Sequence, residues 1–415
     1  MIQKDRAIYL CDCDSFFASV EEAFHPEYKN VPFAVAGDPD SRHGIILAKN
    51  QMAKKLGIKT AETINDAKRK CPNLLLAPPR HNTYSEFCNR FNAIYEQYTD
   101  QVERVSIDES FMDVTGSLHL FGGDPIKLAN EIRLRVEREI GITISIGISW
   151  NKIFAKVASD INKPNGVCFI TRDNYKDIIW TLPVSDMYGV GSKARAVLNK
   201  HCIKTIGELA ALGADSLKLY LGEASCEMLH RFANGLDDEQ VSHIGEQQER
   251  KSLGKGRTFK RDLKSENDIR VGVISLADYI AFGLRHENKK CYTIQITIKD
   301  TLLKSIQRQK KLVNPTYLAS EIVESAMNII KESWTIGKPI RMLTITAQNL
   351  VASDHSGDQL NLFVNPNTGK NKKSEKLELA MDKIRDKYGL HSIQAGSIYN
   401  NDLGISDHDT EDELV

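Results

Sequence analysis

The chain is predicted to be a multidomain α+β protein, and three observations carry that prediction. Its 415 residues exceed what one core holds at roughly 100–200 residues per domain. Period-two runs, clearest in Ile142–Ser149 (Ile-Thr-Ile-Ser-Ile-Gly-Ile-Ser), alternate with stretches of helical spacing such as Asp124–Ile140. Between two such mixed regions lies a stretch, 171–242, whose pattern is helical throughout with short Gly-containing breaks.

Taken in order, Ala7–Cys13 reads as a buried strand ending in carboxylates, and Ser15–Phe24 continues with helical spacing at Phe16, Val20, Ala23 and Phe24. Val102–Ile107 and Phe111–Val114 flank Asp108-Glu109 as the arms of a hairpin would. Residues 1–15 and 81–170 therefore read as one α+β sheet domain, with a mostly helical insertion at 16–80. After the helical module at 171–242, a polar Gln- and Glu-rich stretch at 243–250 reads as a linker. Strand signals at Tyr292–Lys299 and Arg341–Gln348, with helical segments at 266–286 and 317–332, give 251–350 a βαββαβ order. From 351 to 415 the chain is a polar tail, broken by an apolar cluster at 359–363 and a charged helical stretch at 374–388.

No window approaches 18 uncharged apolar residues, and no apolar run follows the first six residues as in a signal peptide, so membrane and secreted classes drop out. The eight cysteines include no C-x-x-C, which argues against a zinc ribbon or a disulfide scaffold and for a reducing cytoplasm. The formal net charge is zero but unevenly divided: residues 251–350 hold 18 Lys+Arg against 9 Asp+Glu, and 402–415 hold six acids and no Lys or Arg. A basic module behind an acidic one suits a polyanion-binding part joined to a carboxylate-bearing part, although an unevenly charged surface would look the same. The acidic end, Asp402–Glu413, reads by default as a disordered solubilising tail.

Asp12 ends the first strand and Asp108-Glu109 sits at the hairpin, so three carboxylates can meet at one end of one sheet. Oxygen-rich acidic sites suit Mg²⁺, and two such ions roughly 3.5–4 Å apart can hold both oxygens of an in-line phosphoryl displacement. Either acidic group alone is more often a solvated strand end.

Four ordered blocks carry a resemblance: Cys11-Asp12-Cys13-Asp14-Ser15-Phe16-Phe17 through Glu22, Ser106-Ile107-Asp108-Glu109-Ser110, Gly147 through Lys152, and Asn162-Lys163-Pro164-Asn165-Gly166. Together they are similar to the Y-family translesion DNA polymerases of the bacterial DinB/UmuC group, over roughly residues 5–350. The resemblance implies a right-hand polymerase: an α+β palm (1–15 and 81–170), small fingers (16–80), a helical thumb (171–242) and a βαββαβ little finger (251–350). It implies an error-prone, template-directed polymerase that adds dNTPs to primer–template DNA and bypasses damaged bases, in an SOS-type damage response. Two Mg²⁺ per active site would be held by Asp12, Asp108, Glu109 and the carbonyl of Cys13.

Phe17 takes the family's steric-gate position, where a ring leaves no room for a ribose 2′-hydroxyl. Adjacent helical residues cannot both point fully inward, so Phe16 is read as core and Phe17 as gate. Lys163 matches the family lysine that meets the triphosphate; as a lone lysine it would be solvated surface. Gln51 and Lys54 stand where many DinB-type members carry Tyr and Arg, so nucleotide contacts in the fingers depart from the pattern.

Gly189-Val190-Gly191 resembles a helix–hairpin–helix, whose backbone N–H groups approach DNA phosphate; a plain turn is the alternative. Lys255 and Arg257, with Lys304, Arg308, Lys310 and Lys311, supply backbone-directed, salt-sensitive DNA contact. Gln359-Leu360-Asn361-Leu362-Phe363 resembles the peptide by which bacterial polymerases bind the sliding clamp; an apolar cluster packed on the little finger is the alternative. A monomer is expected. Two rivals use the same residues differently: a two-metal nuclease, which leaves Phe17 and the Lys163 block unexplained, and a catalytically weak DNA-binding accessory.

Overall fold

The computed structural model describes residues 5–38, 44–246, 249–354, 368–399 and 401–405. The chain divides into two compact units, Met1–Gln247 and Gln248–Val415, and the division falls within the polar stretch 243–250.

In chain order the strands of the first unit are β1 (Ile8–Cys13), β2 (Phe33–Ala36), β3 (Ile46–Lys49), β4 (Leu75–Ala77), β5 (Val102–Arg104), β6 (Glu109–Asp113), β7 (Ile144–Ser149) and β8 (Val167–Phe169). A five-stranded sheet has the order β5-β6-β1-β7-β8, antiparallel except for β7 and β8. Every residue of the central strands β1 and β7 is buried, because helices cover both faces. Tyr9, Cys11 and Cys13 meet one apolar layer built with helices Phe16–Phe24, His81–Tyr95 and Pro125–Ile140. On the opposite face, helix Lys152–Ile161 lies directly on β7. A Cβ at Gly147 would sit 2.0 Å from the Ala155 carbonyl oxygen, so glycine is what allows this approach.

Residues 16–80 depart from the helical expectation. They include a three-stranded sheet of order β3-β2-β4, with short helices at Gln51–Lys55 and Ile64–Lys70. Its strands are only three or four residues long, too short for a period-two signal to stand out. Residues 171–242 are helical as expected, with helices Tyr175–Ile178, Ser192–Lys200, Ile206–Ala211, Ala214–Leu221 and Glu223–Ala233. Their apolar residues share a core with Trp150, Phe154 and Val157, and the Gly235 carbonyl accepts bonds from Trp150 Nε1 (3.2 Å) and Asn151 Nδ2 (2.9 Å).

The second unit has β9 (Ser252–Leu263), β10 (Lys289–Lys299), β11 (Ser305–Thr316) and β12 (Ile340–Ala352) in an antiparallel sheet of order β11-β10-β12-β9. Helices Glu266–His286 and Ala319–Ser333 cover one face, giving the βαββαβ order.

Residues 368–399 and 401–405 of the expected tail are instead part of this unit. Helix Thr368–Tyr388 docks by charge: Arg285 pairs with Glu378 and with Asp382 (Nε to Oδ2, 2.5 Å), and Arg385 pairs with Asp278 (2.6 Å). Beyond it, Ile398, Leu403 and Ile405 join the main core, the Lys260 N–H donates to the Leu403 carbonyl at 3.0 Å, and Arg261 holds Asp402 at 2.7 Å. The assignment of Asp402 to a solubilising tail therefore fails, because this residue is tied to β9. The sequence shows the charged helical stretch at 374–388 but not that it docks, since the face it buries is charged. Residues 359–363, with the motif Gln359 to Phe363, lie outside the described residues, as do 406–415.

Candidate active site

The carboxylates meet because of strand register. Asp12 is paired with Glu109 across β1 and β6, and the Cys13 N–H donates to the Asp108 carbonyl at 3.0 Å. Residues almost a hundred positions apart thus share one sheet end. Asp12 is only 4% exposed, whereas Asp108 and Glu109 are half-buried. Ser106 donates to Asp108 at 2.6 Å.

Two lysines close the site from the far side of the sheet. Lys156, on the helix that Gly147 admits, lies 2.6 Å from Glu109 Oε1 and 3.4 Å from Asp12 Oδ2. Lys163 lies 2.6 Å from the same Asp12 oxygen and 2.8 Å from Asp160. Burial pushes the Asp12 carboxyl above its ordinary range, against the pull of both lysines. Burial would lower the two ammonium groups, but Glu109 and Asp12 outweigh it at Lys156, and Asp12 and Asp160 do so at Lys163; both end above the ordinary lysine range. The Cys11 and Cys13 thiols are buried and pushed up, so they stay neutral, and the oxygen Cys13 can offer is its carbonyl.

Among the described residues no three His, Cys, Asp or Glu side chains are grouped as a metal cage. The donor set nevertheless fits a hard divalent cation: it is all oxygen, it is anionic, and strand register gathers it at one sheet end.

Phe16 and Phe17 divide as their helical positions require. Phe16 is 2% exposed and packs edge-on against Phe91, while Phe17 is half-buried and stacks on Tyr84 with centroids 4.1 Å apart. Tyr84 is itself held. Its hydroxyl donates to Glu21 at 2.7 Å, and Arg80 grips the same buried carboxylate with bonds of 3.0 and 2.6 Å. The sequence reading missed this support; its signal was Arg80 and Tyr84, four apart, facing a glutamate one turn beyond Phe17.

The other expected residues are dispersed. Gln51 starts a helix capped by Asn50 and lies 3.5 Å from Ser15 Oγ, while Lys54 is exposed. Gly189 has φ +88° and Gly191 is the N-cap of helix Ser192–Lys200, the arrangement of a tight turn into a helix. Lys304, Arg308, Lys310 and Lys311 are exposed on or beside the edge strand β11. Lys255 and Arg257 sit on the opposite edge strand, on the same helix-covered face as Leu253 and Phe259. Lys255 lies over the Tyr279 ring and Arg257 donates to the Gly404 carbonyl at 2.9 Å. The two sets of cations do not form one patch.

The impB/mucB/samB family profile matches residues 11–160, and the profile of that family's C-terminal domain matches 250–362. The chain is 40% identical over 401 residues to a DNA polymerase IV of Acetivibrio thermocellus, covering 97% of this chain and 99% of that one. It is 36% identical to DNA polymerase IV 2 of Bacillus subtilis, covering 94% of each. A solved Y-family DNA polymerase chimera shares the fold with a TM-score of 0.73, at 24% identity over 83% of this chain and 99% of that one.

Proposed function

From the premise that the chain belongs to the impB/mucB/samB family, the DinB-type Y-family DNA polymerases, we propose that the carboxylate end of β1 and β6 is its nucleotidyl-transfer site. The protein is a DNA-directed DNA polymerase of the translesion class, and neither the nuclease nor the accessory reading is favoured. The observation that carries the site is the register setting Asp12 against Glu109, next to Asp108 and within reach of Lys156 and Lys163.

Asp12, Asp108, Glu109 and the Cys13 carbonyl would hold two Mg²⁺, which when bound neutralise phosphate charge and steady the attacking and leaving oxygens. The protein's own groups do the rest. Lys163, cationic throughout the physiological range, meets the triphosphate of the incoming dNTP as a point charge. The open side of the Phe17 ring, backed by Tyr84, rejects a ribose by clash rather than by a lost bond. Gln51 and Lys54 lie on the helix following β3 as the fingers' nucleotide contacts.

The parts correspond to palm (1–15, 81–170), fingers (16–80), thumb (171–242) and little finger (251–350). Gly189 and Gly191 in the thumb offer backbone N–H groups to phosphate. The exposed cations of β11 grip the DNA backbone without reading sequence, and Lys255 and Arg257 of β9, held against Tyr279 and the Gly404 carbonyl, are the lesser contributors. Gln359, Leu360, Leu362 and Phe363 supply a peptide for a sliding clamp, which raises the local concentration of a monomeric cytoplasmic enzyme at the primer end. No described helix is long and apolar enough to cross a membrane.

Primer extension with Mg²⁺ and dNTPs tests the reading. Elongation that depends on template supports it, whereas shortening of the primer, or no change, overturns it.

A further inference from the structure

We propose that Asp14 is a positioning residue, which holds the turn Lys163–Gly166 so that the Lys163 ammonium is presented beside Asp12. This rests on the reading of Lys163 as the phosphate contact. Asp14 is as buried as Asp12, at 5% exposure, yet both of its oxygens are taken by uncharged donors. Oδ1 accepts from Ser145 Oγ and Oδ2 from the backbone N–H of Asn165, each at 2.8 Å. Its main chain is fixed as well: the Asp14 N–H donates to the Thr143 carbonyl at 3.0 Å, and its own carbonyl accepts from Ser19 Oγ at 2.5 Å.

The turn it grips has little freedom elsewhere. Asn165 has φ +57°, and its side-chain oxygen accepts from Arg133 at 2.6 Å. A Cβ at Gly166 would lie 2.1 Å from the Asn162 carbonyl oxygen, so the turn closes hard onto the end of helix Lys152–Ile161. Lys163, two residues before the gripped amide, reaches Asp12 Oδ2 at 2.6 Å. One acid of the Asp-Cys-Asp run thus faces the reaction centre, while the other fixes the backbone that delivers a cation to it.

Removing the Asp14 carboxylate leaves the part-buried Asn165 N–H without its side-chain acceptor and releases the turn from β1. The charge itself is dispensable. In Asp14→Asn the amide oxygen can accept from Asn165 N–H while the NH₂ donates to the Ser145 hydroxyl, which accepts as readily as it donates. A metal ligand would not tolerate that exchange.

The test uses the full chain as wild type, Asp14→Ala, Asp14→Asn, Lys163→Ala and the double Ala variant, with single-nucleotide insertion kinetics, a melting temperature and amide hydrogen exchange over the turn. Asp14→Ala and Lys163→Ala should each raise the KM for dNTP on the order of tenfold, and the double variant should be no worse than Lys163→Ala alone. Asp14→Asn should recover most of the loss. Exchange at Asn165 should quicken in Asp14→Ala and stay slow in Asp14→Asn. Multiplying effects in the double variant, an Asn variant as poor as Ala, or unchanged exchange at Asn165 would each overturn the proposal. If exchange quickens while Lys163→Ala keeps the wild-type KM, the hold on the turn stands and the nucleotide role of Lys163 fails.

Discussion

Replacing Phe17 by Ala separates the two duties an aromatic at this position can have. The ring is half-buried, stacked on Tyr84 at 4.1 Å with an interplanar angle of 14°, and the Tyr84 ring is fully buried beneath it. Its loss removes one stacked pair and part of a ring's burial, about 1–2 kcal/mol in all. Phe16→Ala, by contrast, empties a site buried among Tyr84, Phe91 and Val20, at a cost of about 3–5 kcal/mol. In a unit of 247 residues each kcal/mol moves the melting temperature by about 2–4 °C, so the two variants differ by a readable margin. Function should move the other way. Phe17→Ala should keep deoxynucleotide insertion and let ribonucleotide discrimination fall at least roughly a hundredfold, the equivalent of about 2.7 kcal/mol of removed clash. The assay is insertion of dNTP against NTP opposite the same template base, with melting curves for both variants. If Phe17→Ala destabilises as much as Phe16→Ala, or rejects ribonucleotides as before, then Phe17 is core and the gate lies elsewhere.

Three further outcomes are expected. Asp108→Asn or Glu109→Gln should reduce primer extension at least about a thousandfold while DNA binding at low salt is kept or tightened, since each removes negative charge near phosphate; near wild-type extension would refute the assignment. Asp382→Ala leaves Arg285, whose side chain is 4% exposed, with Glu378 as its one carboxylate, and should lower the stability of the second unit by about 3–5 kcal/mol without shifting the first, as read by two-transition melting. Gln359→Ala with Phe363→Ala should abolish stimulation by a loaded sliding clamp and leave clamp-free extension unchanged; surviving stimulation, or a large stability loss, would place the segment in the fold instead.

The acidic centre was legible because its parts are local in sequence even though they are distant from one another. A buried strand that ends in Asp12 and a hairpin whose turn ends at Asp108 and whose second strand opens with Glu109 each announce a carboxylate at a strand end, and pairing of the two strands does the rest. The split of Phe16 from Phe17 was legible for a similar reason, since helix geometry alone prevents both rings from facing inward. What supports the Phe17 ring was not. Glu21, Arg80 and Tyr84 come together only when a second helix crosses the first, and no periodicity in either segment records that crossing.

The second unit shows where pattern reading loses its grip. Hydrophobic periodicity finds elements that bury apolar faces, and it located both helices and two of the four strands, β10 and β12, of residues 251–350. Helix Thr368–Tyr388 instead buries Glu378, Asp382 and Arg385, while Leu377, Ile384 and Tyr388 stay exposed, so its outward face carries the signal an inward face usually carries. The same inversion misdirects the reading of β9. Lys255 and Arg257 count towards a basic surface by composition, but strand alternation turns them towards the helix-covered side, where Tyr279 and the Gly404 carbonyl meet them. Charge totals do not carry direction, and in this unit direction decides which cations a polyanion can reach. The exposed row Lys304, Arg308, Lys310 and Lys311 meets that condition without any rearrangement of residues 396–405, whereas Arg257 meets it only by giving up its bond to Gly404. Salt-dependent DNA affinity should therefore fall more steeply on neutralising the β11 row than on neutralising Lys255 and Arg257.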